Sequence, residues 1–486
     1  MADLKTQAFG GIKWTAVSKV YTAVVKVLQL AILARFLTKE DFGLMGIAVL
    51  VNSFCLIFAD MGMATAAMHE TQLTREKFSS LYWFNLFIGL ILTIIVSLCA
   101  PLIANYYNRS ELVGIVSVTS LLIFVNSSYS LHRTLQQKNM NFRFMSFAEI
   151  ISSTVVLISN IIFAIKGFGV YSLVWSSLIG SLVNACLYLF VALFIEHSIS
   201  LHFKIKEVTD ALQIGLFQVG SSTIDFFSRE MDSFIVSSYM SLELFGIYTL
   251  FKNLAMNIYQ VINPIVTNVT TPVFAKLQDN KEVLKNGYIK TVNMLGFVNF
   301  PIYSILAVSS FSVVSILYGS SYTDYAFVLS CLAIYYAFQS CGNPVGALLI
   351  ATGRTDRGFY WTIFRIVFTG VYLYIAAHYY LFIFVFLIVL LPIILSYPNW
   401  YIVFRKIISI DFKTFYNLSF IPFLACLPLF PLYYLDRFIN APIIGLPIVS
   451  ALFVAGYYYI NRLYRRSLLD EILTLAISQF KKDEKN

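Results

Sequence analysis

The stretch Ala34-Arg35-Phe36-Leu37-Thr38-Lys39-Glu40-Asp41-Phe42-Gly43 closes an apolar run that begins at Gly11. It returns in altered form as Ser237-Ser238-Tyr239-Met240-Ser241-Leu242-Glu243-Leu244-Phe245-Gly246, at the end of a run that begins at Gly215. Phe42-Gly43 and Phe245-Gly246 stand 203 residues apart, and the same step carries Glu40 onto Glu243 and Lys26 onto Arg229. Each copy reads as an apolar helix, a short polar loop and the start of a second helix. The chain is therefore read as a duplicated helical array with a cation inside the first helix of each copy.

Working outward, the repeat persists with a drifting offset. Ala104-Asn105-Tyr106-Tyr107 is echoed 211 residues later by Ser315-Ile316-Leu317-Tyr318, and Leu135 and Arg143 are echoed at 214 by Leu349 and Arg357. Longer loops in the second copy produce such a drift. Apolar residues make up 59% of the chain, mean hydropathy is +0.77, and only 12% of residues are charged, too few to cover a water-facing surface. Apolar runs of about 20 residues recur from end to end, the length that crosses a bilayer as a helix.

Fourteen membrane-spanning helices are expected, centred near residues 23, 54, 91, 122, 156, 182, 224, 259, 303, 338, 368, 391, 424 and 450. A membrane barrel would instead show segments of about ten residues with alternating polarity. The fold class is an all-α polytopic membrane protein with two pseudo-symmetric six-helix lobes, residues 1–200 and 201–406. Residues 407–486 form an appended helix pair and a basic cytoplasmic tail. Spans 1 and 7 run in the same direction, so the lobes are parallel repeats about an axis along the membrane normal.

Lys and Arg set the orientation, because translocating positive charge is disfavoured. Loops on the side of the N-terminus carry 23 of them and the opposite loops carry five, namely Arg35, Lys39, Arg109, Lys166 and Arg437. Both termini are thus expected in the cytoplasm. The formal charge of +9 follows from this asymmetry and anionic lipid headgroups suit it, whereas a nucleic-acid site would gather its cations on one face. Lys13, Lys19 and Lys26 interrupt the first run, so it is expected to stay as an anchor rather than be cleaved.

Chemistry-bearing motifs are sparse. The cysteines Cys55, Cys99, Cys186, Cys331, Cys341 and Cys426 sit singly in apolar runs and suit packing. His69, His132, His197, His202 and His378 make no HExxH or similar ligand spacing, so no metal site is expected. No GxxxxGK[ST] loop is present, and no cofactor is implied.

Function is sought among ionisable groups inside the spans, each of which is costly in hydrocarbon unless it faces protein or water. Lys19 and Lys26 share a helix face with Thr22 and Gln29, and Asp225, Arg229 and Asp232 share a face in the seventh span. Two readings stand side by side here. Arg229 either binds an anionic cargo or is neutralised by its own helix, and Lys13 and Lys19 either line a cavity or reach the interface. Lys26 has no acid within helical reach and is read as a cargo contact. Lys252 and Arg365 are further cationic candidates, and Asp60, Asp225 and Asp232 are candidates for coupling or gating. Glu149 is read as an inter-helix hydrogen-bond partner. Pro264, Pro272 and Pro301 fall inside spans and are expected to bend them.

Gly11 to Trp14, Ala34-Arg35-Phe36-Leu37 with Phe42-Gly43, Ala100-Pro101-Leu102-Ile103-Ala104, Gly167-Phe168-Gly169-Val170, Asp232 ahead of Phe245-Gly246-Ile247-Tyr248, and Pro272-Val273-Phe274 with Leu277-Gln278 carry a further signal. Over roughly residues 5–410 these motifs resemble polysaccharide flippases of the Wzx type, in the multidrug/oligosaccharidyl-lipid/polysaccharide exporter superfamily. Lys39 stands where that family often has proline. The resemblance implies two six-helix lobes around a central cavity. It also implies transport of undecaprenyl-diphosphate-linked oligosaccharide from the cytoplasmic to the periplasmic leaflet of the bacterial inner membrane, for capsule, exopolysaccharide or O-antigen assembly. Polysaccharide polymerase and export machinery are the implied partners.

Lys26 and Arg229 are then the leading contacts for the diphosphate. Two alternatives remain at this point. A cation-coupled drug exporter of the same superfamily would want an acidic cavity. A membrane-embedded polymerase or glycosyltransferase would carry a large loop or catalytic domain, which the sequence lacks, so no enzyme activity is expected.

Overall fold

Thr38 starts the second long helix, five residues after the first ends at Leu33. Its hydroxyl accepts the Asp41 amide at 3.2 Å while the Asp41 carboxylate accepts the Thr38 amide at 2.9 Å, a reciprocal box that satisfies two donors the helix start leaves free. The structure, a computed structural model, describes residues 2–464 apart from Thr71, Gln72, His197, Asp279 and Asn440. The basic tail from Arg465 onward lies outside the described residues.

Long helices follow one another along the described chain. They are α1 (Ala2–Leu33), α2 (Lys39–Asp60), α3 (Arg75–Tyr107), α4 (Glu111–Lys138), α5 (Phe142–Ile165), α6 (Tyr171–Phe190) and α7 (Ile205–Tyr239). They continue as α8 (Leu242–Leu277), α9 (Lys281–Val308), α10 (Ala326–Cys341), α11 (Thr355–Ala376), α12 (Leu381–Asn399), α13 (Phe412–Cys426) and α14 (Pro442–Tyr464). Every span centre expected from hydropathy falls in one of them. Among the described residues twelve helices are long and apolar enough to cross a membrane, rather than the fourteen expected, and α7 and α8 are not among these twelve. For α7 the cause is visible in its charged residues Asp225, Arg229, Glu230 and Asp232.

The duplication is written into the backbone. Asn108 and Gly319, 211 residues apart, both take positive φ, at 53° and 98°. Met140 and Gly353 do the same at 57° and 63°. Both sixth-helix equivalents close in a π turn, Val191–Ile195 after α6 and Trp400–Phe404 after α12. Pro301 lies inside α9, and Pro264 and Pro272 lie along α8.

The chain divides into two units, Met1–Leu250 and Phe251–Asn486. In the first, small residues let helices approach: Ser127 of α4 packs on Gly89 of α3, and Val156 of α5 packs on Gly180 of α6. Asn85 of α3 donates to the Ser127 carbonyl at 3.1 Å and to Ser130 at 2.9 Å. The segment between α6 and α7 is pinned to the start of α3, with Arg75 donating to the Ile199 carbonyl at 2.8 Å and Trp83 to that of Ser200 at 2.9 Å.

The two copies of the opening motif meet inside this unit. A Cβ on Gly43 would strike the Leu242 carbonyl, and one on Gly246 would strike the Lys39 carbonyl. Leu242 and Gly246 are the repeat equivalents of Lys39 and Gly43, so the contact is reciprocal, as across a two-fold axis. Lys39 also pairs with Glu243 at 2.9 Å.

In the second unit the core gathers Tyr288, Phe300, Tyr303, Phe404 and Phe453. The last two helices rest on α9, through Pro422 of α13 against Gly296 and through the Tyr457 hydroxyl of α14 donating to the Phe297 carbonyl at 3.1 Å.

A candidate anion site in the first unit

Helix α1 shows two unlike faces. Val17, Val20, Val24 and Leu28 are exposed on one, as suits lipid, while Lys19, Thr22, Lys26 and Gln29 share the other. Its start is fixed to α5 by the Arg143 guanidinium over the Trp14 ring at 5.6 Å and by Phe142 filling the space a side chain at Gly11 would need. That anchorage sets Ser18, Lys19 and Tyr21 against α5.

The contact that results is ionic. Lys19 reaches both oxygens of Glu149 at 3.2 Å, Ser18 donates to Oε2 at 3.4 Å, and Arg133 of α4 donates to Oε1 at 2.9 Å. Glu149 thus gathers donors from α1 and α4. One turn beyond it, the Tyr21 and Thr154 hydroxyls bond at 2.7 Å. Lys26 lies seven residues along α1 from Lys19, about 10 Å up the axis. It is exposed and makes no hydrogen bond or ion pair with a described residue, and the charges that act on it are those of Lys19 and Glu149.

A polar wall continues from this cluster. Tyr129, one turn before Arg133, donates to Asn126 Oδ1 at 2.6 Å and stacks on Tyr188 of α6, with ring centroids 5.6 Å apart and planes 18° apart. Asn184 donates to Ser152 Oγ at 3.0 Å. Three cations against one carboxylate leave a surplus of positive charge beside aromatic and amide groups. Such a surface holds an anion with hydroxyl-rich neighbours.

The remaining expected site residues have other surroundings. Arg229 is exposed and is ion-paired with the half-buried Asp225 one turn earlier on α7. Asp232 accepts a hydrogen bond from the Tyr248 hydroxyl. Asp60 accepts the Ala64 amide at 3.2 Å, at the turn where Met61 and Gly62 take positive φ. Lys252 is buried and Arg365 half-buried, both in the second unit.

Arg133, one of the 23 cations counted to the loops on the side of the N-terminus, lies inside α4. A signal was available. Asn126, Tyr129, Arg133 and Gln136 repeat at spacings of three, four and three, a polar stripe along one helix face. Histidine spacing also hid a cluster, because Glu76, His202 and Glu207 present ligand atoms within 4.8 Å of one another. His202 Nε2 lies 3.5 Å from Glu207 and 4.0 Å from Glu76.

Helices of this length and composition define an all-α polytopic membrane protein. Two solved structures share the fold. The lipid II flippase MurJ in an inward closed conformation superposes with a TM-score of 0.73 at 15% identity, covering 94% of this chain and 100% of that one. A multidrug resistance MATE family transporter in an inward-facing conformation gives 0.66 at 16% identity, covering 82% and 99%. Fold alone therefore does not choose the cargo.

Sequence narrows the class. Residues 32–327 match the family described as "Polysaccharide biosynthesis protein", and the chain belongs to that family. Among curated relatives, the lipopolysaccharide biosynthesis protein WzxC of Escherichia coli (strain K12) is 26% identical over 366 residues, 75% of this chain and 74% of that one. The resemblance read from the motifs and the all-α polytopic fold both hold.

Proposed function

We propose that the protein is a flippase that moves a polyprenyl-diphosphate-linked oligosaccharide across the bacterial inner membrane for surface polysaccharide assembly. The observation that carries this reading is the convergence of Lys19 and Arg133 on the Glu149 carboxylate, with Lys26 on the same face of α1 about 10 Å further along. A lipid diphosphate cannot cross hydrocarbon bare, and cations spaced along a helix give it successive partners. Lys19 and Arg133 receive the phosphates first, Lys26 about 10 Å further along, and the sugar meets Tyr129, Asn126 and Asn184.

The loop charges support placing both termini in the cytoplasm, so that Lys19 and Arg133 lie toward the cytoplasmic leaflet from which the cargo starts. The lipid tail stays in the bilayer, and rocking of the repeats alternates access. No covalent step is needed. Polymerase and export components would take the product on the far side.

Asp225 serves to neutralise Arg229, and Asp232 and Asp60 hold local structure, which leaves little acidic surplus for a cationic drug. Lys252 and Arg365 stay in the proposal as second-unit contacts met at another stage of passage. The test is leaflet exchange of a lipid-diphosphate oligosaccharide in proteoliposomes, comparing the parent with Lys26→Ala and Arg133→Ala. Each variant is expected to flip at least about tenfold more slowly, the loss of one charge-assisted contact. Undiminished flipping by both, at equal amounts of folded protein, would sink the reading.

A further inference from the structure

We infer that Glu149 tunes how tightly the cations hold their cargo, acting as an internal carboxylate that occupies Lys19 and Arg133 until the phosphates displace it. This rests on the flippase reading above. The Glu149 side chain is 21% exposed, whereas Lys19 and Arg133 are 44% and 47% exposed. The carboxylate is therefore tucked behind two cations that still present free donor directions, which is the arrangement for exchange of one anion for another rather than for a sealed structural pair.

Charge arithmetic gives the same result. Lys19, Lys26 and Arg133 with Glu149 sum to two positive charges, and a diphosphate joined to lipid on one side and sugar on the other carries two negative ones. The loaded site is neutral. Without Glu149 three cations would face the cargo and release would be slow, since a transporter gains nothing from holding its load too well. With Glu149 present, Lys19 and Arg133 regain a partner as the cargo leaves, so that departure exposes no bare pair of cations.

A staple joining α1, α4 and α5 is the competing account, and it predicts the opposite sign. If Glu149 only holds helices together, its removal loosens the site and weakens binding. Under the exchange account removal tightens binding, and the effect scales with cargo charge, because the attraction is proportional to the product of charges.

The experiment uses the full chain in nanodiscs with two probes, a short-chain polyprenyl diphosphate N-acetylglucosamine and the corresponding monophosphate. Glu149→Gln is expected to bind the diphosphate probe about tenfold and the monophosphate probe about threefold more tightly than the parent. In proteoliposomes its kcat and KM fall together, and Glu149→Asp restores both. Arg133→Gln alone weakens diphosphate binding, and adding Glu149→Gln returns it to near the parent value. This recovery tests the idea even where Glu149→Gln alone folds poorly.

Two results overturn the inference. One is weaker or unchanged diphosphate binding by folded Glu149→Gln, and the other is a double variant no better than Arg133→Gln. If Arg133→Gln and Lys26→Ala also leave diphosphate binding untouched, the flippase reading falls with it. If they weaken binding while the Glu149 variants do not tighten it, only the role of Glu149 falls.

Discussion

Lys26 on α1 and Arg229 on α7 occupy equivalent places in the two copies of the repeat, yet their surroundings differ. Among the described residues Lys26 makes no ion pair, and it shares its helix face with Lys19, whereas Arg229 is ion-paired with Asp225 one turn away on its own helix. Thr22 occupies the position on α1 that Asp225 occupies on α7. One substitution between the copies thus decides whether the cation is available to an anion. The fold was duplicated, and the electrostatics were not.

The comparison depends on the repeats meeting as they do, and the largest effect is expected where that contact is broken. Gly246→Val places a side chain against the Lys39 carbonyl and within 2.9 Å of the Gly43 amide. Folded protein should be lost, as read from monodisperse yield and thermal unfolding. Gly346→Ala, where a Cβ meets nothing within 4 Å, should leave both unchanged.

Next in size is the contrast between the cations themselves. Lys26→Ala should slow flipping at least about tenfold, but Arg229→Ala less than about threefold, because Asp225 already cancels its charge. Asp225→Asn should make transport newly sensitive to Arg229, which a double-variant cycle measures. Equal losses at Lys26 and Arg229 in the parent background would erase the distinction.

Smaller effects belong to the helix starts that hold the repeats in register. Thr38→Ala removes the hydroxyl of the capping box and should cost about 1 kcal/mol of stability, measured by denaturation in detergent. At the start of α13, hydrogen bonds from the Thr414 hydroxyl and amide hold the Asp411 carboxyl below its usual range. A depressed carboxylate stabilises the fold above its unfolded pKa and loses that contribution as pH falls through the folded value. Asp411→Asn keeps a cap but should remove this acid sensitivity from the unfolding curve.

Much of this was legible in the chain. Hydropathy put each of its fourteen span centres inside a long helix, although twelve of the described helices are apolar enough to cross a membrane, because a spanning helix satisfies its backbone internally and its apolar length is set by the bilayer. The offset of 211 between Tyr107 and Tyr318 is shared by the positive-φ residues Asn108 and Gly319 that follow them. Lys19 and Lys26 were legible as one helix face for the same local reason.

Arg133 and Glu149 were harder to read. They are 16 residues apart and meet only because α4 and α5 turn back on each other at Met140, whose positive φ no sequence pattern marked. The reciprocal seating of Gly43 on Leu242 and Gly246 on Lys39 was likewise hidden, since a repeat in sequence does not say that its copies touch.

The sequence by itself determined a duplicated, multi-span helical protein whose few cations inside the spans are the places to look for function. Those properties follow from local periodicity and from the high cost of charge in hydrocarbon. Tertiary structure alone decided which charges meet. Ion pairing falls off within a few ångströms, so Lys19 and Arg133 converge on Glu149 and Lys26 stays open through helix packing that no spacing along the chain records.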